Sequence, residues 1–197
     1  MLHAQLTSGR NFNNFIYEEE HFLDRTFCQC LHFSLVNFDG WKVFDKNNFW
    51  DGRTLPFSNS SLIFEHENCQ AIVELIRTKI QAIYNAEYVY CDTIDFIKWP
   101  VGSSQSPHWD KINGLDHREW GSVIYLNEDY EGGNTIYPEL DIQIKPESGK
   151  IVIHPGDVDF THGVSEVIGN DRFTIASFWT SDLSKASYDK IHKFTRE

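Results

Sequence analysis

"HGVSEVIGNDRFTIASFW", residues 162–179, reads as two strand-like runs on either side of Gly169-Asn170-Asp171, and the reading of the fold starts there. Taking those three residues as a hairpin loop pairs Ile168 with Arg172. His162, Val164, Glu166 and Ile168 then share a face with Arg172, Thr174, Ala176 and Phe178. A histidine and an arginine would thus point into one cavity. A guanidinium that is always charged and forked needs an anion when it faces inward, and a carboxylate on a small molecule would supply it.

The same texture extends upstream. From about Tyr88, short β-type runs succeed one another: "YVYCDTIDFIKW", "GSVIYLN", "NTIYP", "DIQIKP" and "KIVIHP", separated by Gly, Pro, Asn and Asp. So many short strands predict a mainly β protein with a jelly-roll core, a cupin-like double-stranded β-helix. Before Tyr88 the pattern is helical. "EEEHFLDRTFCQCLHF" aligns Phe22, Leu23, Thr26, Phe27, Cys30 and Leu31 on one stripe, with Glu18 to Glu20 at the favourable end of the dipole. "ENCQAIVELIRTKIQAIYNA" repeats Ile72, Leu75, Ile76, Ile80 and Ile83 at helical spacing, and Asp39-Gly40 between apolar flanks signals a hairpin. No repeat or linker divides the chain. The expectation is a single domain over 1–197: a helical and hairpin support layer over 1–87, the jelly-roll core over 88–180, and a tail or helix over 181–197.

Within the β region stands "SSQSPHWDKING". In an extended segment, side chains i and i+2 leave the same face, so His108 and Asp110 can converge while Trp109 turns away. Alone, His-x-Asp also fits a polar strand end. His162, 54 residues after His108, offers a third ligand, and Arg172 follows ten residues later. Two histidines and one carboxylate that leave half the coordination sphere open suit non-haem Fe(II). Other residues compete. His154 in "IVIHPGD" reads as a strand-end histidine, Asp157 and Asp159 as loop carboxylates, and His117 as part of a solvated loop. "CQCLH" offers Cys28, Cys30 and His32, but no second pair at zinc-finger spacing follows.

Composition bounds the partners. The chain has 197 residues, 41% hydrophobic and 15% aromatic, enough to bury a sizeable core. Its 17 basic and 29 acidic residues give a net charge of −12, which disfavours nucleic acid as a partner. "MLHAQLTSGRNFNN" lacks a basic segment followed by an apolar one, and no apolar run approaches the ~20 residues that span a bilayer. Four irregularly spaced cysteines fit a reducing compartment. These features predict a cytoplasmic protein with no membrane partner.

Taken in order, "WPVGSSQSPHWD", "REWGSVIYLNEDYEGGNTIYP", "IKPESGKIVIHP" and "HGVSEVIGNDRFTIASFW" resemble the Fe(II)- and 2-oxoglutarate-dependent dioxygenases, and among them the prolyl 4-hydroxylase-like group. The resemblance covers roughly residues 96–180. It implies Fe(II) held by His108, Asp110 and His162, with 2-oxoglutarate and O2 as cosubstrates and ascorbate as a further candidate. It also implies Arg172 and Tyr125 on the distal carboxylate of 2-oxoglutarate, and Arg118 near the substrate entrance. Where the family often has Tyr-x-x-Gly, this chain has "WPVG", so Trp99 takes the tyrosine position beside the cosubstrate with only an N–H to donate. The implied substrate is a prolyl residue in a peptide or protein. The rivals are an oxygenase of a free amino acid or other small molecule, and a jelly-roll protein that binds metal without turnover.

Overall fold

The computed structural model describes residues 15–43, 52–57, 59, 66–112 and 114–192. In chain order the elements are β1 (Tyr17–Glu19), α1 (Arg25–Val36), β2 (Lys42–Val43), β3 (Arg53–Pro56), α2 (His66–Tyr84) and β4 (Tyr90–Trp99). β5 (Gln105–His108), β6 (Trp120–Tyr125), β7 (Glu131–Gly132), β8 (Thr135–Tyr137), β9 (Ile142–Ile144) and β10 (Ile151–Pro155) follow. β11 (His162–Val164), β12 (Val167–Ile168), β13 (Arg172–Thr180) and α3 (Ser187–Ile191) complete the set. Each β-type run read from the sequence after Tyr88 holds a strand, and "HGVSEVI" holds two.

The strands form a seven-stranded sheet in the order β1-β10-β6-β13-β4-β3-β2, a four-stranded sheet β5-β11-β8-β9, and a β12-β7 ribbon. All the pairings are antiparallel. This is the expected jelly roll. Period-two alternation gives the large sheet two faces with different jobs. One face carries Phe96, Ile124, Ile151, Ile153, Phe173, Ile175 and Trp179, which join α1 and α2 in the main core. The other faces the small sheet, where Tyr125 and Val152 pack with Tyr137, Ile144 and Phe160.

The helices cover the first face, although not always by the expected residues. α2 buries Cys69, Ile72, Val73, Ile76 and Ile80, whereas Leu75 is half exposed. α1 starts one turn later than its acidic run suggests, because Glu18 and Glu19 belong to β1 and Asp24 caps the helix by accepting from the Phe27 amide. That shift turns the stripe: Cys28, Leu31 and Leu35 are buried while Thr26 and Cys30 face solvent. Asp39-Gly40 is not a hairpin turn, since α1 runs to Val36 and the segment simply leads from the helix into β2. None of the described helices is long and apolar enough to cross a membrane.

The C-terminal segment is tied down by a buried ion pair. Arg77 of α2 donates from Nη1 and Nη2 to the Asp189 carboxylate of α3, both at 2.9 Å, and that carboxylate also accepts from the Cys91 amide at 2.7 Å. Both side chains are nearly inaccessible, at 3% and 2% exposure. Removing one partner strands a buried charge, so Arg77→Met should cost about 3–5 kcal/mol in chemical denaturation. Asp189→Leu added to it should recover much of that loss, because the stranded charge is then gone.

Candidate metal centre

β5 and β11 are neighbours, and His108 and His162 are direct Cα partners across them. Side chains of such a pair leave the same face, and the two ring centroids are 4.5 Å apart. β5 ends at His108, where the chain bends and Trp109 Nε1 donates to the Lys111 carbonyl at 3.1 Å. Asp110 therefore reaches the centre from a loop. Its Oδ1 lies 3.9 Å from His108 Nε2 and 3.8 Å from His162 Nε2. The ligand atoms of these three residues lie within 4.8 Å of one another, and no other such metal-binding group occurs among the described residues. Cys28 and Cys30 do not join His32 in a cluster: one thiol is buried and the other exposed.

Hydrogen bonds prepare the imidazoles for metal. Nδ1 of His108 bonds the Ser106 carbonyl at 3.2 Å, and Nδ1 of His162 bonds the Phe160 carbonyl at 3.0 Å. A carbonyl only accepts, so each Nδ1 carries the proton and each Nε2 keeps its lone pair. Burial pushes His162 down to about 3, so it is neutral at neutral pH. Asp110 Oδ2 is buried and has no hydrogen-bond partner among the described residues. Two imidazoles that turn Nε2 inward and one carboxylate fit Fe(II), and an uncompensated buried carboxylate oxygen fits a site built around a cation.

Arg172 lies deeper in the same interior, 1% exposed. Its Cζ is 5.0 Å from the ring of Trp99, its Cα partner on β4, and 5.3 Å from the ring of Tyr125. Nε and Nη1 are buried without a hydrogen-bond partner among the described residues. A dehydrated guanidinium with two idle donors is costly unless an anion joins it. From Arg172 a chain of contacts leads to the centre. The Tyr125 hydroxyl bonds Thr135 Oγ1 at 2.6 Å; Thr135 and Tyr137 leave the same face of β8; and the Tyr137 ring is 5.7 Å from that of His162.

The hairpin expected over Gly169-Asn170-Asp171 does not form. Ile168 pairs with Glu131 of β7, β11 belongs to the small sheet, and β13 to the large one. Gly169, at φ +87°, helps carry the chain between them. His162 and Arg172 still face a common interior because the two sheets oppose each other, not because one ribbon holds both.

Arg118 sits toward the other end of β13. Nε donates to Asp92 Oδ2 at 3.0 Å, and Cζ stacks 4.0 Å from the Phe178 ring centroid. Asp92 is the unpaired residue at an irregularity in β4, between the partners of Phe178 and Trp179, and such a bulge re-aims its side chain. His117 is not solvated as expected: its Nε2 is 3.3 Å from the same carboxylate oxygen. Asp157 pairs with Lys111 at 2.7 Å, in keeping with a loop carboxylate. His154, read as a strand-end residue, proves to be an inner-face side chain whose ring lies 4.3 Å from that of His162. The sequence offered His154 only as a competing strand-end histidine and did not single out Tyr137, because each faces the centre only through strand pairing.

Comparison with known proteins agrees with this geometry. Residues 95–180 match the family model of the 2OG-Fe(II) oxygenase superfamily. The matched segment, 86 of the chain's 197 residues, runs from within β4 to the end of β13 and so spans the strands that carry the centre. Within that class the likeness is to prolyl hydroxylases: the chain is 29% identical over 88 residues to prolyl 3-hydroxylase 2 of Rattus norvegicus and 30% identical over 79 residues to prolyl 3-hydroxylase 1 of Homo sapiens. Those matches take in 42% and 38% of this chain but only 12% and 11% of the relatives' length. Among solved structures, the viral collagen prolyl hydroxylase of Paramecium Bursaria Chlorella virus-1 superposes with a TM-score of 0.66 at 15% identity, covering 85% of this chain and 97% of that one. A Trichoplax adhaerens prolyl hydroxylase in complex with a hypoxia inducible factor peptide fragment gives 0.68 at 15% identity, over 88% and 86%. These likenesses establish a shared fold.

Gly121 of β6 tests the centre. A Cβ there would fall 2.5 Å from Asp110 Oδ2 and 2.7 Å from His154 Cε1. Gly121→Ala should displace the carboxylate and weaken Fe(II) binding about tenfold or more, the scale typical of disturbed ligand support. Anaerobic metal titration checks the loss, and circular dichroism should show the fold retained.

Proposed function

We propose that this chain is an Fe(II)- and 2-oxoglutarate-dependent dioxygenase that hydroxylates a prolyl residue within a peptide or protein. One observation carries the reading: a guanidinium buried with two unpartnered nitrogens in the interior that also holds the His108, Asp110 and His162 donors. In it, these three residues hold Fe(II), and Arg172 with Tyr125 receives the distal carboxylate of 2-oxoglutarate. Bound iron and cosubstrate supply the oxidising chemistry, in which 2-oxoglutarate becomes succinate and CO2 and an oxygen atom of O2 ends as the substrate hydroxyl.

The protein's own work is binding and orientation. The Nδ1–H bonds keep both histidines in the ligating tautomer. Trp99 packs against the guanidinium and helps keep water from it, which strengthens its attraction for a carboxylate. Thr135 fixes the direction of the Tyr125 hydroxyl. Arg118, held by Asp92 over Phe178, forms a firm rim near the mouth against which a peptide can lie. The peptidyl-prolyl preference draws support from the relatives' likeness to this chain, which leaves the ring position of hydroxylation open.

Iron-dependent succinate formation, screened against proline-containing peptides and free amino acids, tests the reading. Peptidyl proline should stimulate 2-oxoglutarate turnover more than free proline does. Stimulation by free amino acids alone would move the assignment to a small-molecule oxygenase, and no turnover with any substrate would favour a metal-binding protein.

The cosubstrate assignment has its own test. Arg172→Ala should weaken 2-oxoglutarate binding about ten- to hundredfold, the equivalent of one lost charge-assisted hydrogen-bonded partner. Tyr125→Phe should cost less, and Fe(II) binding should survive both changes. Unchanged 2-oxoglutarate affinity in Arg172→Ala would remove the basis of the assignment.

A further inference from the structure

His154 has no part in the reading above, yet it lies against the centre. It is 4% exposed, and its ring sits 4.3 Å from that of His162. Its Nδ1 donates to the Pro155 carbonyl at 3.1 Å and lies 3.9 Å from Asp110 Oδ2. That oxygen is the buried one without a hydrogen-bond partner among the described residues, while Oδ1 faces His108 and His162. Gly121 makes the approach possible, because a Cβ there would press on both Asp110 Oδ2 and the His154 ring.

We propose that His154 is a positioning residue of the iron centre: it backs the His162 ring and turns its Nδ1–H edge to Asp110 Oδ2, so that Asp110 offers the metal Oδ1 alone. The inference rests on the proposed iron site. A carboxylate with an unanchored outer oxygen can swing and chelate through both oxygens, taking up coordination space that the cosubstrates need. A donor on Oδ2 opposes the swing with a charge-assisted hydrogen bond. In the structure this N–H bonds the Pro155 carbonyl and stands 3.9 Å from Oδ2, so a hydrogen bond to the carboxylate requires a shift of about 1 Å. An apolar side chain would serve for packing at this enclosed position. A histidine brings a directed N–H.

The test compares His154→Gln, which keeps an N–H donor, with His154→Met, which does not; His154→Phe serves as a second donor-free variant should the methionine protein not fold. Anaerobic titration with Fe(II) and then 2-oxoglutarate reads the Fe(II) dissociation constant and the visible charge-transfer absorption of the ternary complex. The donor-free variant should bind Fe(II) about ten- to hundredfold more weakly and show a shifted or weakened band at saturation. His154→Gln should recover the band of the parent protein and most of its affinity. Parent-like affinity and band in the donor-free variant would reduce His154 to a space filler, and equal defects in Gln and Met variants would overturn the donor role. A parent protein that shows no charge-transfer band at all would instead overturn the iron and 2-oxoglutarate reading itself, so the two failures are distinguishable.

Discussion

The placement of β13 between β4 and β6 is the constraint from which the rest of the architecture follows. Nine residues pair on the β4 side, and the strand's alternation divides them. Phe173, Ile175 and Trp179 enter the helix-covered core, while Arg172, Thr174, Ala176 and Phe178 line the interior between the sheets. A one-residue slip would exchange the two sets, driving the guanidinium into the apolar core and Trp179 into the interior between the sheets. Burial of the aromatic face therefore also sets the direction of Arg172.

Packing on the helical side supplies the rigidity that the interior needs. α1 and α2 bury aliphatic side chains against the outer face of the large sheet, and the Arg77–Asp189 pair fastens α3 to β4 through the Cys91 amide. β4 in turn carries Trp99 against Arg172 and bulges at Asp92 to hold Arg118. Apolar burial on one face and polar precision on the other are thus properties of the same strands.

The interior is unusual for a protein core in the number of polar groups it leaves waiting. Asp110 Oδ2, two nitrogens of Arg172, and the hydroxyls of Tyr137 and Thr174 are all buried without hydrogen-bond partners among the described residues. Each costs stability in the empty protein. Together they amount to a negative end at the metal donors and a positive end at Arg172, joined by hydroxyls. In the proposed reading, a dicarboxylate between a cation and the guanidinium matches that polarity, and its binding would offset part of the cost of keeping the groups dehydrated.

The local periodicities were legible in the sequence: the strand runs after Tyr88 and the helical repeat of α2; His108 and Asp110 also converge, although through the bend after β5 and not by strand alternation. Covalent neighbours and the side-chain period suffice for the periodicities. The ordered motifs also pointed to His162 and Arg172. What remained hidden depended on partners distant in the chain. The stripe of α1 turned toward Cys28 and Leu35 once β1 had claimed the acidic residues, and Asp39-Gly40 became a connector because the helix before it ran on. His162 and Arg172 meet across two sheets instead of along one hairpin, and His154 and Tyr137 reach the centre only through the registers of β10 with β6 and of β8 with β11. Alternation tells which residues of a strand share a face. Only the packing of whole sheets, which buries complementary faces against each other, decides what that face meets.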